Sequence, residues 1–297
     1  MTISGFSYIR NGLEYDYPFL EAIKSILPIC DEFVVAVGDS GDDTREAVAK
    51  LDTKKIKIID TTWDMNLREG GKVFAQQANI ALDNVIGDWA FHIQADEVIH
   101  ENDLPGIKAA VEKYGNDHNV EGFILPFIHF WGGYDYIRNS RRVHLNEIRL
   151  FRNDKVIRSY MDSQGFRKYS SIKAYEEGEK GEKMRVKKID APVYHYNGVR
   201  RSEVQEKKDY TFNAFHHGNM PLSKEITNRF DYQNVDRVVK FNGQHPAVMR
   251  NRVDAYKSSF VFDPKKAQWK TKDKLIQPLE DLLGFKIGEY RNYKLLK

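Results

Sequence analysis

The sequence predicts an α/β protein with a central, mostly parallel sheet, because apolar strand-like runs alternate with helical patterns in the first part of its 297 residues. Residues 3–9, 33–37 and 56–59 are short apolar runs of this kind. Residues 122–127 predict a further buried strand. This alternation is typical of a parallel sheet that helices cover on both faces.

Helical patterns separate the first strands. Pro18 begins the first helix, and its apolar face consists of Phe19, Ile23, Ile26 and Leu27. The small-residue loop at 38–46 follows the second strand and can approach a ligand closely. Within it, Asp43 and Glu46 have the spacing of a capping box, which predicts the start of a second helix.

Two more helices are predicted further along the chain. Gly70 and Gly71 precede the third, whose apolar stripe is Phe74, Ala78, Ala81 and Leu82. Asn79 lies on a different face of this helix. The fourth helix begins near residue 103 and ends near Gly115.

Asp96 ends the apolar, strand-like run over residues 89–97. In open α/β sheets the carboxyl ends of parallel strands face the crevice in which ligands bind, so a carboxylate here predicts a ligand site. The alternative is that Asp96 begins a turn or caps the following helix. The residue alone does not decide between these two roles.

Composition and charge limit the class of protein. A hydrophobic content of 41% supplies a substantial core, and the single cysteine, Cys30, excludes an intramolecular disulfide. A net charge of +3 is too small to predict a nucleic-acid partner. Arg10, Glu14 and Asp16 interrupt the N-terminal segment, so we expect no secretory signal, no transmembrane segment and a cytoplasmic protein.

The pattern becomes helical and irregular beyond about residue 200. Residues 176–188 are nearly all charged or glycine and predict a mobile loop. Residues 265–297 hold nine Lys or Arg against four Asp or Glu, which favours a solvated basic tail over contact with an anionic surface. We divide the chain into a domain over residues 1–200 and a C-terminal helical or irregular extension over residues 201–297. Whether the extension covers the ligand cleft, forms a dimer or makes peripheral membrane contact stays open.

Four polar or glycine-containing segments occur in order: Arg10-Asn11, Asp39-Ser40-Gly41-Asp42-Asp43-Thr44, residues 71–79 and Gln94-Ala95-Asp96-Glu97. Together they resemble the successive signatures of family 2 glycosyltransferases, which have the GT-A nucleotide-sugar fold. The resemblance covers roughly the first 100 residues, with weaker similarity to about residue 200. It implies an enzyme that moves a sugar from a nucleoside diphosphate sugar to a glycan, lipid-linked or other hydroxyl acceptor.

The last segment matches the family's Asp-x-Asp motif, whose final acid binds a divalent metal. The resemblance makes Asp96 the metal ligand and Gln94 a hydrogen-bonding partner of a ribose or sugar hydroxyl. The implied metal is Mg²⁺ or Mn²⁺, and oxygen atoms of phosphate and water complete its coordination shell. A downstream histidine completes the site in several such enzymes, which implies His195, with a buried core histidine as the alternative. Because Gln94 brings no charge, the need for a metal stays open.

The resemblance also implies residues that hold the nucleotide. Asp39, or Asp42 in a shifted register, accepts the N–H of the base, although this segment is also ordinary turn chemistry. Arg10 and Asn11, in the first segment, belong to the same site. Lys72 approaches the phosphates or remains solvated.

Later segments resemble a bacterial subgroup that modifies surface polysaccharide or lipopolysaccharide, at residues 130–136, 146–152, 160–167 and 194–200. Trp131 and Tyr134 are candidate acceptor contacts, because aromatic rings stack on sugars, and core packing is the alternative. Arg200, in the last segment, is a candidate for neutralising the departing diphosphate.

Family 2 enzymes generally invert the anomeric centre in one displacement, which needs a carboxylate that takes the proton of the acceptor hydroxyl. Asp162 is the first candidate for this base and Glu147 the second, followed by Asp135 and Glu97. A surface salt bridge or a helix cap is the alternative for each.

Two other functions remain possible from the sequence. A nucleotidyltransferase on a similar sheet is disfavoured, because no glycine-rich phosphate loop with a following basic motif lies near the N-terminus. A non-catalytic nucleotide- or carbohydrate-binding module is kept open by the uncharged Gln94. A Rossmann dehydrogenase or methyltransferase is disfavoured because no Gly-x-Gly-x-x-Gly follows the first strand.

Overall fold

The computed structural model of the protein describes residues 1–51, 54–163, 165–227 and 230–297. Gln164, which belongs to the segment 160–167 named above, lies outside the described residues. The strands are β1 (Ile3–Ile9), β2 (Glu32–Val37), β3 (Ile56–Asp60), β4 (Trp89–His92), β5 (Glu97–Ile99), β6 (Gly122–Trp131), β7 (Tyr136–Arg138), β8 (Asn146–Arg152), β9 (Ile157–Ser159), β10 (Phe166–Lys168), β11 (Met184–Lys188), β12 (Val193–Gly198), β13 (Val238–Lys240) and β14 (Tyr293–Leu295). The α-helices are α1 (Phe19–Ile26), α2 (Thr44–Ala49), α3 (Lys72–Asp83), α4 (Leu104–Tyr114), α5 (Ile172–Glu176), α6 (Ser202–Ala214), α7 (Arg250–Ala255) and α8 (Thr271–Leu283).

The N-terminal half of the sheet is parallel, as the alternation of strands and helices predicts. β1 lies between β2 and β4 and pairs in parallel with both, and β2 pairs in parallel with β3. Alternate side chains of β2 pack with α1 on one face and with α3 on the other, so the strand is apolar throughout. The predicted α/β class with a mostly parallel central sheet is confirmed.

The second half of the sheet contains both parallel and antiparallel strand pairs. Some of its strands carry residues of the candidate functional site. β8 is antiparallel to β4 and β6, whereas β11 and β12 are parallel to β6. β12 lies between β5 and β6, so His195 is opposite Glu97 on one side and His129 on the other. The sheet thus brings together three residues that are far apart in the sequence.

The start of α2 differs from the predicted capping box. Asp43 occupies the N-cap position, but its side chain accepts no hydrogen bond from the described residues of the helix, so the capping box is wrong. Its φ of −78° and ψ of 28° depart from the extended backbone that aims an N-cap side chain at the first turn. Asp42 serves instead, since its carboxylate accepts the N–H of Thr44 at 3.1 Å and that of Glu14 at 2.7 Å.

The third helix, α3, has the predicted apolar stripe, and Asn79 makes a further contact from outside that stripe. Asn79 lies off that stripe but is also buried. Its amide donates to the carbonyl oxygen of Ser159 at 3.0 Å and its Oδ1 accepts the N–H of the same residue at 2.8 Å. Asn79 therefore joins α3 to β9.

The prediction of a mobile loop over residues 176–188 is wrong for its second part. Met184–Lys188 forms β11, which pairs in parallel with both β6 and β14. Met184 and Val186 are fully buried and alternate with charged residues. The period of two that defines a strand therefore outweighs the high charge of the run.

The strand before Asp96 ends earlier than the sequence predicts. β4 stops at His92, and Asp96 lies in a turn that leads into the short strand β5. The backbone carbonyl of Asp96 accepts the N–H of Tyr196 at 2.8 Å. The turn is therefore anchored to β12.

The residues beyond 200 contain α6, α7 and α8 and also extend the sheet. β13 pairs with β7, and β14 pairs with β11. The division of the chain at residue 200 stays a prediction. Among the described helices, none is both long enough and apolar enough to cross a bilayer.

Candidate active site

A cavity of about 850 Å³ opens at the carboxyl ends of β1 and β4. Its walls come from the loop after β1, the turn after β4, β8, β12, α6 and the segment that follows α8. The carboxylates that line it are Asp96, Glu147, Asp162, Asp209 and Glu289, and the cations are Arg10, Arg141, Arg142, Arg149, Lys208 and Lys286. This edge of a parallel sheet is where α/β proteins bind ligands, and the volume is that of a small-molecule site.

Asp96 is 8% exposed and faces this cavity from its turn, so it is both a turn residue and a candidate ligand. Its Oδ2 lies 3.6 Å from Nε2 of His195 and 4.0 Å from Nζ of Lys208. Burial alone would raise the pKa of Asp96, but His195, Lys208 and Arg200 outweigh it and hold that pKa well below its usual range. The carboxylate is therefore ionised at neutral pH.

His195 is oriented by a chain of hydrogen bonds that begins at the backbone. Burial, together with nearby His195, lowers the pKa of His129 to about 3, so His129 is neutral. Nε2 of His129 donates to the carbonyl oxygen of His144 at 2.8 Å, which leaves Nδ1 of His129 as an acceptor. Nδ1 of His195 lies 2.8 Å from this acceptor and donates to it. Nε2 of His195 is then the atom that faces Asp96.

Oδ2 of Asp96 and Nε2 of His195 form a donor set that suits a divalent metal such as Mn²⁺. Both residues are buried at the cavity wall, and the 3.6 Å between the two atoms is near the roughly 3 Å that separates adjacent ligands of an octahedral ion. The imidazoles of His129, His144 and His195 also offer nitrogen atoms within 4.8 Å of one another. In that cluster His129 already accepts a hydrogen bond from His195, so the donor pair with Asp96 fits a metal better.

Glu97, a sequence candidate for the base, is engaged elsewhere. It forms a buried two-pronged ion pair with Arg149, with N···O distances of 2.9 and 2.7 Å. Its Oε2 also accepts the backbone N–H of Gln94 at 3.0 Å. The ion pair therefore fixes the turn that carries Gln94 and Asp96, and the side chain of Gln94 lines the cavity.

Two cations accompany Asp96. Lys208, on α6, lines the cavity, and its burial together with the charge of Arg200 lowers its pKa to about 8. Arg200 is 1% exposed, and its guanidinium nitrogens have no hydrogen-bond partner among the described residues. Both cations lie near the ring of Tyr17, at 5.7 and 5.0 Å from its centre. Arg200 does not itself line the cavity described here, so it acts there through its charge.

The loops after β1 and β2 lie side by side at one end of the cavity. Nε of Arg10 lies 3.1 Å from Oδ1 of Asp39, and the guanidinium lies 5.5 Å from the centre of the Trp63 ring. Arg10, Asn11 and Trp63 line the main cavity. Asp39 and Asp42 line a smaller, separate cavity of about 390 Å³. The Arg10–Asp39 pair connects the two.

Besides Arg200, three sequence candidates for the nucleotide site do not line the main cavity: Asp39, Asp42 and Lys72. Lys72 is exposed at the start of α3 and, in the part of the chain described, lines neither cavity. The carboxylate of Asp42 is occupied by its bonds to Thr44 and Glu14. Of the two candidate acids in this loop, Asp39 is therefore the better placed to meet a base.

Asp162 lies on the cavity wall in a strained turn. Its neighbours Met161 and Ser163 have φ of 53° and 62°, a region that few residues other than glycine adopt. Oδ2 of Asp162 lies 3.1 Å from Nε2 of His216, and Nδ1 of His216 donates to the carbonyl of Phe212 at 2.9 Å. Both nitrogens of His216 thus face hydrogen-bond acceptors. Oδ1 of Asp162 is buried without a hydrogen-bond partner among the described residues.

Glu147, on β8, lines the same cavity. Burial raises its pKa to about 7, and the opposing effect of Arg149 is partly cancelled by the charges of Glu97 and Glu289. A carboxyl group with this pKa exchanges its proton near neutral pH. Glu147 therefore has the property that a general acid or base requires.

Three other sequence candidates do not line the cavity. Asp135 is exposed on the surface. Nε1 of Trp131 donates to the carbonyl of Tyr232 at 2.9 Å, and the ring of Tyr134 packs against Tyr196. The structure therefore favours packing for Trp131 and Tyr134 and does not place them as acceptor contacts.

Sequence reasoning did not single out Lys208, His129 or His216. Lys208 lies in a charged helical run that resembles any solvated helix face. His129 lies in an apolar strand, and only the pairing of β6 with β12 brings it to His195. An isolated histidine within a buried strand is the one local signal that marks His129.

Comparisons with known proteins give matches to solved structures alone. No protein-family model and no curated protein matches the chain. S. aureus TarS in complex with UDP-GlcNAc matches with a TM-score of 0.34 and 23% identity, over 48% of this chain and 37% of that chain. S. aureus TarS 1-349 matches with a TM-score of 0.38 and 14% identity, over 75% of this chain and 67% of that chain.

A third match is glucosyl-3-phosphoglycerate synthase from Mycobacterium tuberculosis in complex with Mn²⁺, UDP and glucosyl-3-phosphoglycerate. Its TM-score is 0.30 and its identity 17%, over 44% of this chain and 45% of that chain. These structural neighbours are GT-A glycosyltransferases, as the resemblance in sequence predicts. The match to the UDP-GlcNAc complex spans little more than a third of that chain. With TM-scores this low, the likeness assigns no activity, substrate or residue role to this chain.

Proposed function

We propose that the protein is a glycosyltransferase that moves a sugar from a nucleoside diphosphate sugar to a glycan or lipid-linked hydroxyl. The observation that carries the proposal is the charge arrangement around Asp96. An ionised, buried carboxylate lies 3.6 Å from His195 and 4.0 Å from Lys208 in the wall of a cavity of about 850 Å³. A diphosphate needs cations, and a sugar needs a polar cavity beside them.

The donor lies between the loop after β1 and α6 in this proposal. Lys208, with the charge of Arg200 behind it, attracts the diphosphate. Arg10 and Asn11 hold the nucleoside beside the Trp63 ring, and Asp39, which pairs with Arg10, is the candidate acid for the N–H of the base. Gln94 donates a hydrogen bond to a ribose or sugar hydroxyl, or accepts one from it.

Asp96 and His195 would hold a divalent metal, Mn²⁺ or Mg²⁺. When bound, such an ion stabilises the negative charge that develops on the leaving diphosphate. Gln94 is uncharged at a position where the family has an acid, which weakens the hold on the metal. Lys208 and Arg200 compensate for this, because they add positive charge at the same place. We therefore propose a metal-assisted enzyme whose own cations share the stabilisation.

The reaction is a single displacement with inversion. The acceptor oxygen forms a bond to the anomeric carbon while the bond from that carbon to the diphosphate oxygen breaks. Asp162, on the cavity wall, takes the proton of the acceptor hydroxyl. Glu147 is the second candidate base on the same cavity wall.

Incubation with a panel of sugar nucleotides and Mn²⁺ tests the proposal, with hydrolysis or transfer of the sugar as the readout. We expect turnover with one donor and a loss of at least about 100-fold in kcat/KM for Asp96→Asn. Glu112→Gln, at an exposed site on α4, is the matched control and should leave turnover unchanged. Absence of both donor binding and turnover with every sugar nucleotide, while the protein is folded, would contradict the proposal.

A non-catalytic binding module is the second candidate. The observation that favours it is Gln94, which lines the cavity without a charge, next to a Lys208 that already neutralises Asp96. Donor binding that needs no metal, with no product from any acceptor, would establish this function instead. Release of pyrophosphate from a nucleoside triphosphate would identify a nucleotidyltransferase.

A further inference from the structure

Helix α8 turns three of its polar side chains inward. Asp273, Gln277 and Glu280 recur at helical spacing and are all buried. Arg141 pairs with two of these acids: its Nη1 lies 3.0 Å from Oδ1 of Asp273 and its Nε lies 3.2 Å from Oε1 of Glu280. Nε of Arg142 lies 2.7 Å from Oδ2 of Asp273. The backbone N–H of Arg141 donates to Oε1 of Gln277 at 2.7 Å. Ion pairs and hydrogen bonds therefore hold this helix on the protein.

The opposite face of α8 is apolar and exposed. Leu275 is 75% exposed and Leu282 83% exposed, and Leu279 lies between them on the same stripe. Leu283, the last residue of α8, and Phe285, just beyond the helix, are exposed as well. A contiguous apolar stripe of this kind on a polar helix marks a surface that contacts another apolar phase.

The same surface is cationic. The exposed lysines before and within the first turn of α8 are Lys265, Lys266, Lys270, Lys272 and Lys274. Of the acids between residues 265 and 283, two are the buried partners of Arg141 and Arg142, and Asp281 pairs with Arg237 at 2.6 Å. The acids of the helix are thus neutralised by the protein itself, and the lysines are left to face outward.

We propose that this surface, the leucine stripe of α8 with its five lysines, docks on an anionic lipid bilayer. Leucines enter the boundary between headgroups and acyl chains, and lysines bind the anionic headgroups, which together make an interfacial helix. A second copy of the chain is a poorer partner, since it would bring two cationic faces together. The charge complementarity selects the lipid surface.

The position of the surface relates it to the cavity. Ile287, Gly288, Glu289 and Tyr290, which follow α8 directly, line the cavity wall. A bilayer against α8 therefore lies next to the segment that forms this part of the cavity wall. This inference rests on the proposed glycosyl transfer, and it specifies the acceptor as a hydroxyl carried on a membrane lipid.

Sedimentation with vesicles tests the docking surface without any activity measurement. We expect the full chain to bind vesicles of phosphatidylcholine mixed with phosphatidylglycerol and to bind phosphatidylcholine alone far less. Each lysine neutralised should weaken binding roughly fivefold, so Lys272→Gln with Lys274→Gln should weaken it by more than tenfold. Leu275→Gln with Leu282→Gln should also weaken it strongly.

Ile86→Gln is the matched control, because Ile86 is 84% exposed and lies outside α8. It should leave vesicle binding unchanged. Absence of binding to the anionic vesicles, or equal binding by the leucine variant, would overturn the inference. So would a dimer in sedimentation velocity that the same leucine variant abolishes, since a second copy would then cover the stripe.

A thermal shift with sugar nucleotides on the same preparation separates this inference from the proposed function. Donor binding without vesicle binding overturns the docking surface alone. Vesicle binding without donor binding overturns the glycosyl transfer and leaves the surface in place.

Discussion

Nδ1 of His129 and Nδ1 of His195 lie 2.8 Å apart on the adjacent strands β6 and β12. Because His129 donates its other N–H to a backbone carbonyl, the proton between the two rings belongs to His195. His195 then presents Nε2 to Asp96. His129 is a positioning residue for the candidate metal site.

His129→Ala is expected to weaken Mn²⁺ binding by about 10- to 100-fold, since the ring of His195 loses the bond that fixes its orientation. Titration of the free Mn²⁺ signal by electron paramagnetic resonance, with the metal alone, measures this directly. His144→Ala is the control, because it keeps the backbone carbonyl that orients His129. Unchanged affinity in His129→Ala would contradict the positioning role. An equal loss in His144→Ala would show instead that the three imidazoles bind the ion together.

Glu97→Gln is expected to destabilise the fold by about 3–5 kcal/mol, because it leaves Arg149 buried without its partner charge. Urea unfolding measures the change. Glu177→Gln breaks the exposed pair of Glu177 with Lys173 and should cost less than about 1 kcal/mol. Equal effects in the two variants would show that burial of the Glu97–Arg149 pair has no energetic consequence.

Asp162→Asn is expected to reduce kcat by about 10²- to 10⁴-fold, since the acceptor hydroxyl loses its base. The thermal shift by the donor should be retained, because the proposed donor contacts lie on other residues. Glu289→Gln is the control: Glu289 lines the same cavity but pairs with Arg291 at 3.0 Å. If Asp162→Asn keeps its kcat and Glu147→Gln loses it, Glu147 is the base.

The parallel half of the fold was predictable because its signals are local. Each strand is a short apolar run, and α1, α3 and α4 each begin or end next to a proline or glycine, so no long-range pairing has to be known. Asp96 could be singled out for the same reason, as a carboxylate at the end of such a run. Asp96 lies in a turn and is also buried at the cavity wall. Both interpretations of the sequence, a turn residue and a ligand, therefore agree with the structure.

The partners of Asp96 were less predictable, because pairing between distant strands decides them. His195 meets His129 through a register that no local pattern encodes. Lys208 reaches Asp96 from a helix far along the chain. The composition of the basic C-terminal segment predicts a solvated tail, yet α8 buries Asp273 and Glu280 against Arg141 and Arg142 and exposes its leucines. Composition alone does not reveal which face of a helix points outward.

Glu147→Gln is expected to stabilise the protein at alkaline pH and to have no effect in acid. The pKa of Glu147 is about 7 in the folded protein against a usual value of 4.5, so the folded state binds this proton more tightly. The resulting stabilisation is fully present below pH 4.5 and is lost as the pH rises through 7. At pH 8 the variant avoids the buried charge and should gain up to about 3 kcal/mol over the wild type. Urea unfolding across this range measures the difference, with Glu112→Gln as the exposed control. A constant difference between pH 5 and pH 8 would contradict a raised pKa for Glu147.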